Sequence, residues 1–232
     1  MSLKPPKKSD LGKSWMKPRK DRKLRIQPEY HLIVSEGTNT EPCYFEAIKG
    51  IVNQNYPGRI QMEIHGEGDN TINLFEKAKR IVQSSANVFK HVWIVFDTDD
   101  FPAANINKTV EKCNNETNSE TVYHALWSNQ CIELWFLLHF SYFHSDIHRY
   151  EYWPKLTKIM TSLEKGEYRK NREDMFEILR PYMVQAISNA ERLEKDNEGK
   201  TPANSAPGTT VYKLVKLLLP YLKHDDNKCG IV

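Results

Sequence analysis

Between Tyr30 and Leu126 short apolar runs alternate with longer stretches of helical periodicity, and this alternation limits the possible folds more than any other feature of the chain. Tyr30-His-Leu-Ile-Val-Ser35 reads as a strand that ends at Glu36-Gly37. Thr40 suits a helix N-cap with Pro42 in the first turn, and Tyr44, Phe45, Ile48 and Val52 follow at helical spacing. After the Pro57-Gly58 break, Arg59 to His65 alternates apolar with polar residues, as a half-exposed strand does. Asp69 or Asn70 can cap a second helix whose inner face is Ile72, Phe75, Ala78 and Val82. His91 to Phe96 is the strongest strand, Ala103 to Cys113 a third helix, and Thr121 to Leu126 a fourth strand. Strand-helix-strand alternation predicts right-handed crossovers, hence an α/β fold with a parallel sheet of about four strands flanked by helices. Beyond Trp127 no strand is expected. Helical patterns over Cys131 to Phe140, Tyr152 to Leu163, Arg172 to Lys195 and Thr209 to Leu222 predict a helical C-terminal half. Turns are expected at Gly166 and from Ala203 to Gly208. The chain thus divides into a flexible tail (1–27), an α/β core (28–128), a helical region packed on it (129–222) and a short tail (223–232).

The 39% hydrophobic and 27% charged content of these 232 residues belongs to a soluble globular protein. The longest apolar segment, Ile132 to Phe140, is interrupted by Glu133 and His139 and is far shorter than the ~20 residues of a membrane span. The basic N-terminus is not followed by an apolar core, so no secretory signal is expected. Cys43, Cys113, Cys131 and Cys229 form no C-x-x-C pair, which argues against a disulfide framework or a structural zinc site and suits the reducing cytoplasm. Met1 to Arg25 carries ten Lys/Arg against Asp10 and Asp21, a local +8, so the remaining 23 basic and 28 acidic residues give −5. Two readings of this tail stand side by side: an arm that tracks nucleic-acid phosphates, or a solvated leader.

All strands of a parallel sheet end on one edge, where such folds place their ligands. The first strand delivers Glu36 to that edge and the third delivers Asp97, Asp99 and Asp100, in Phe96-Asp-Thr-Asp-Asp100. If the two strands are neighbours, a spacing of about 4.8 Å brings the carboxylates within reach of one ion. Crowded carboxylates repel unless a cation neutralises them, and hard oxygen ligands select Mg²⁺ or Mn²⁺. The bland alternative is that Glu36 caps a helix and the aspartates solvate a turn. Ser128 to Phe140 follows the fourth strand and opens a helix, with Ser128 or Asn129 as cap and N–H groups suited to a phosphate. Glu133 in its first turn is either a ligand or base, or a partner of the helix dipole. Trp135, Leu138 and Phe140 read as core, and His139 as a satisfied core histidine. Lys165, Arg169, Lys170 and Arg172 surround an aromatic in a candidate nucleic-acid-binding patch. Lys165 or Lys170 is placed to offset transition-state charge.

Glu36-Gly-Thr-Asn-Thr-Glu-Pro-Cys-Tyr-Phe45, Phe96-Asp-Thr-Asp-Asp100, Ser128-Asn-Gln-Cys-Ile-Glu-Leu-Trp135 with His139-Phe140, and Pro207-Gly-Thr-Thr-Val-Tyr212 resemble the RloB family over about residues 28 to 222. Gln130 stands where proline is expected. The resemblance implies a role in restriction-linked or anti-phage defence, often beside an ATPase partner. The acidic layout is also similar to the Toprim domain of topoisomerases, DnaG-type primases and OLD-family nucleases. There a glutamate after the first strand and a D-x-D after the third hold Mg²⁺ for phosphoryl transfer; Glu36, Asp97 and Asp99 match them, whereas Glu133 has no secure counterpart. The combined expectation is a Mg²⁺- or Mn²⁺-dependent nuclease, cutting RNA (tRNA among the candidates) rather than DNA. In it Asp97 and Asp99 hold the ion, Glu36 ligates it or acts as base, and Glu133 and Lys170 assist. The alternative is a regulatory subunit of an ATPase complex that grips a nucleotide or magnesium without cutting.

Overall fold

The computed structural model describes residues 27–68, 71–98 and 101–222. The basic tail up to residue 26, the Asp69/Asn70 cap, Asp99, Asp100 and the C-terminal tail with Cys229 lie outside the described residues. Five strands, β1 (Glu29–Ser35), β2 (Ile60–Gly66), β3 (Phe89–Asp97), β4 (Val122–Asn129) and β5 (Gly208–Thr209), form one sheet in the order β2-β1-β3-β4-β5. The first four are parallel, and β5 pairs antiparallel with the end of β4. The fold is therefore α/β, with a mostly parallel sheet, flanking helices and a helical C-terminal half. The fifth strand departs from the expectation of none beyond Trp127. It is only two residues long and is defined by its partners, so no periodicity announces it.

The central residues of β1 (32–34) and β3 (92–96) are apolar because both faces of a central parallel strand are covered. Their side chains alternate between two cores. Ile33, Trp93 and Val95 join Tyr44, Phe45, Ile48 and Val52 of helix α1 (Thr40–Asn55) on one face. Leu32, Val34, Val92, Ile94 and Phe96 meet Leu74, Phe75 and Ala78 of α2 (Thr71–Ser84) and Ile106 and Cys113 of α3 (Ala103–Glu116) on the other. The N-cap of α1 is Asn39 rather than Thr40, with no side-chain cap bond, and Thr40 opens the helix itself.

The first face continues into α4 (Glu133–Leu138), α5 (Tyr152–Ser162), α6 (Met175–Leu179), α7 (Met183–Asp196) and α8 (Tyr212–Leu222). The helical pattern from Arg172 to Lys195 is split by a 3-10 turn at Arg180–Tyr182, because Pro181 interrupts the hydrogen-bond ladder. Asn189 on α7 donates to the carbonyl of Leu138 at 2.8 Å, and Arg180 donates to that of Leu222 at 2.9 and 3.1 Å. These bonds fix the helical half to α4 and close the end of α8. No described helix is long and apolar enough to cross a membrane.

Ser128 and Asn129 do not cap a helix. They are the last residues of β4, paired with Asp97 on one side and with Thr209 and Gly208 on the other, and the Ser128 hydroxyl meets that of Thr209 at 2.8 Å. α4 opens after Ile132, which makes no side-chain cap. Gly208 fits this corner because it lacks a Cβ: one added there would lie 2.5 Å from the Ser205 carbonyl oxygen and 3.1 Å from the Trp127 ring. Gly208→Ala is expected to cost about 1–3 kcal/mol by overpacking, read as a lower thermal midpoint with no change in the unfolded baseline.

Candidate functional site

In an open sheet of this order the chain leaves the carboxyl ends of β1 and β3 in opposite directions, and the crevice between them is the natural ligand site. Glu36 and Asp97 stand at those two ends. The Glu36 N–H donates to the Val95 carbonyl at 2.9 Å, continuing the β1–β3 ladder by one residue. The Asp97 N–H in turn donates to Oε2 of Glu36 at 3.3 Å, so the two acids are drawn together across the strand pair.

They open into a cavity of about 790 Å³, whose wall includes Glu41, Glu133, Arg149 and Lys170. Glu41 and Glu133 are buried, at 5% and 1% exposure, which is rare for carboxylates and calls for hydrogen bonds or a cation. Glu133 has hydrogen bonds: its Oε1 accepts from the Trp153 indole at 3.1 Å and from the Tyr168 hydroxyl at 2.8 Å. Glu41 comes from the first turn of α1 and folds back over Gly37, where a Cβ would lie 2.0 Å from its Oε2. Gly37 thus keeps space for a second carboxylate beside Glu36. The field of these acids is felt nearby. Burial, then the charges of Glu133 and Asp97, push the Cys131 thiol far up; burial, then Glu133 and more weakly Glu41, do the same to the Tyr168 phenol.

Of the residues singled out from sequence, Glu36, Asp97, Glu133 and Lys170 share this cavity. Asp99 lies outside the described residues. Lys165 lines a different cavity, with Asp174 and Glu177. Arg169 is exposed. Arg172 is engaged within its own loop, with both ends of its guanidinium on the Asp174 carboxylate at 2.6 Å and Nη1 donating to the carbonyls of Lys165 and Glu167. The basic patch therefore splits, and only Lys170 reaches the acids. Glu41, Arg149 and Trp153 were not anticipated. For Glu41 the E-G-x-x-T-E spacing carried a signal; for the other two, remote in sequence, nothing did.

His139 is buried core, as expected, but only half satisfied, with Nδ1 donating to the Trp135 carbonyl at 2.9 Å. Its Nε2 has no partner, and burial holds its pKa at about 3, so the ring is neutral.

A second polar group lies at the opposite edge, where Glu29, His31 and His91 bring ligand-type atoms within 4.8 Å of one another. Here the tautomer decides. The Trp93 indole N–H donates to Nδ1 of His31 at 3.3 Å, which puts the proton of the neutral ring on Nε2, the atom facing Glu29. A nitrogen carrying its proton donates to a carboxylate and has no lone pair for a metal. This group is a hydrogen-bonded cluster.

No curated protein and no solved structure matches the chain. The sequence model of the family described as RloB-like protein matches residues 31–218, from within β1 to within α8, and so takes in the whole of the cavity wall. The chain belongs to the RloB-like family.

Proposed function

We propose that the chain is a divalent-metal-dependent phosphodiesterase that cuts nucleic acid, RNA in preference to DNA, in a phage-defence or restriction-linked system. The observation that supports this most is the joint lining of one cavity by Glu36, Glu41, Asp97 and Glu133, with Lys170 and Arg149 on the same wall.

The residues fit Mg²⁺ or Mn²⁺: the lining offers carboxylate oxygens and neither histidine nor cysteine, and Gly37 leaves room for a carboxylate that a larger residue would displace. Glu36 and Asp97, with Asp99 as the third ligand of a Toprim-like arrangement, would hold the ion. When bound, the ion supplies Lewis-acid stabilisation of charge on a phosphoryl oxygen. Glu36 is also placed to take a proton from the attacking water, while Asp97, whose N–H it accepts, keeps it oriented. Glu133 is held by Trp153 and Tyr168 and cannot swing away, which suits a fixed acceptor for a proton or a ligand. Lys170 and Arg149 offset the charge on the phosphate.

A second reading has one observation in its favour: the cavity volume also suits a bound mononucleotide. On that reading the chain is a non-cutting, nucleotide- or Mg²⁺-sensing subunit of an ATPase complex. Incubating the purified chain with tRNA, mRNA fragments and single-stranded DNA, with and without the ATPase partner, separates the two. Cleavage with Mg²⁺ or Mn²⁺ that stops with EDTA is the expected result. Stoichiometric nucleotide binding without cleavage, even with the ATPase present, favours the second reading.

A further inference from the structure

The acidic cavity carries two cations on its wall, Arg149 and Lys170, and each lies against an aromatic ring. Tyr150 is 60% exposed in the 3-10 turn Arg149–Glu151 that leads into α5, although a large aromatic so placed gains nothing from burial. The Arg149 guanidinium lies 5.5 Å from the centre of its ring, and the ring stands edge-on to Trp153 with centroids 6.0 Å apart. Trp153 is tied to the acidic site itself, since its indole donates to Glu133, and Lys170 sits 4.9 Å from its ring centre. The main-chain N–H of Arg149 donates to the Gln130 side chain at 2.8 Å, so this turn is anchored to the loop that follows β4.

We propose that Tyr150 is a stacking platform for an unpaired base, and that the substrate enters as single-stranded RNA. On this arrangement Arg149 and Lys170 hold the flanking phosphates while the scissile one reaches the carboxylates. This rests on the phosphodiesterase reading for the identity of the ligand. Its physical basis is complementarity. A strand of nucleic acid presents alternating anionic and flat π surfaces, and here two cations that line the acidic cavity each sit against a ring, one of which, Tyr150, is exposed. A base in a duplex has both faces covered by its neighbours, so an exposed ring selects strands whose bases are unstacked. The ordinary alternative is that Tyr150 merely covers His148, whose ring centre is 4.8 Å away. On that alternative its removal leaves binding unaffected.

The test is fluorescence anisotropy with the full-length chain, a labelled RNA of about 12 nucleotides, the span of a typical single-strand site, its DNA equivalent and the matching RNA duplex. Ca²⁺ replaces Mg²⁺ so that binding is read without turnover. The single strand is expected to bind more tightly than the duplex. Tyr150→Ala should weaken single-strand binding about tenfold or more and erase the preference, whereas Tyr150→Phe should retain both. Equal affinity of wild type and Tyr150→Ala for the single strand overturns the platform, as does equal or tighter duplex binding, or no binding of any strand. Tighter binding of DNA than of RNA overturns the choice of RNA. The parent reading fails separately: Tyr150-dependent binding in a protein that never cleaves would sink the phosphodiesterase and keep the platform.

Discussion

Glu36→Gln and Asp97→Asn are each expected to lower the metal-dependent cleavage rate about a thousandfold, while leaving the metal-free protein at least as stable as wild type. The rate loss corresponds to about 4 kcal/mol of transition-state stabilisation, the order expected when a catalytic metal loses a charged ligand. Stability moves the other way. Glu36, Glu41, Asp97 and Glu133 line one cavity with Arg149 and Lys170, so four carboxylates face two cations, and in the absence of a metal ion the acids in excess repel. Changing one carboxylate to its amide removes a charge and keeps the shape. The side-chain amide of the Glu36→Gln variant would still present an oxygen to the Asp97 N–H, which in the wild type donates to Glu36 at 3.3 Å. A site built for chemistry gains stability when it is neutralised; a carboxylate kept for structure loses it. Thermal unfolding in EDTA and in Mg²⁺ measures both effects. Mg²⁺ should raise the wild-type midpoint and barely move those of the variants. If both variants cleave at the wild-type rate, or lose stability in EDTA yet respond to Mg²⁺ as wild type does, the assignment of the ion to these residues is wrong.

Glu36 and Asp97 were legible in the sequence because each directly follows an apolar strand, and parallel strands share an exit edge whatever else the chain does. Glu41 was less so. It sits in a helix's first turn rather than at a strand end, and its carboxylate can lie over Gly37 only because that residue has no Cβ. Ser128 and Asn129 misled because polar residues before an apolar helix look like caps; a strand claims them instead, through pairing with Asp97 and with a two-residue strand some eighty positions away. Arg172 misled in a similar way. Its sequence neighbours are basic, but Asp174 and two carbonyls turn the guanidinium into its own loop. Arg149, Tyr150 and Trp153 could not be found from spacing, because the long loop between α4 and α5 leaves their distance from the acids open. The histidines of the opposite edge were invisible for another reason. They lie on three different strands, and only the register that sets His31 beside His91, and Trp93 beside His124, brings them together.

Those histidines, together with His139, should make the protein lose stability steeply between pH 7 and pH 5. Burial first, then the neighbouring His91, holds His31 at a pKa of about 3. Burial first, then His91, His31 and Lys213 on α8, holds His124 at about 4. His91 is lowered mainly by burial and by Lys90, against the opposing pull of Glu29, and burial keeps His139 at about 3. The packing shows why the rings stay neutral. His124 stacks on Trp93 with centroids 3.8 Å apart, and its Nε2 meets Nδ1 of His91 at 2.9 Å, a contact in which one ring must accept. In the unfolded chain each histidine titrates near 6.5. Below that pH the unfolded state binds protons that the native state refuses, so stability falls as pH falls, and levels off only near the depressed native values. Above about pH 7.5 both states are neutral and the contribution is nil. At pH 5 the cost is about 2 kcal/mol for each of the buried rings His31 and His139, or roughly 4 kcal/mol together, a large share of the whole stability of many domains. The partly exposed His124 adds less because solvent screens it. Urea unfolding at pH 7.5, 6 and 5 measures it. His31→Asn can still accept from the Trp93 indole but cannot titrate, so its slope against pH should be shallower than that of wild type by about one proton. A wild-type stability that is flat from pH 7.5 to 5, or a His31→Asn slope equal to that of wild type, would show that these rings take up protons in the native state and that the strand-edge cluster opens to water.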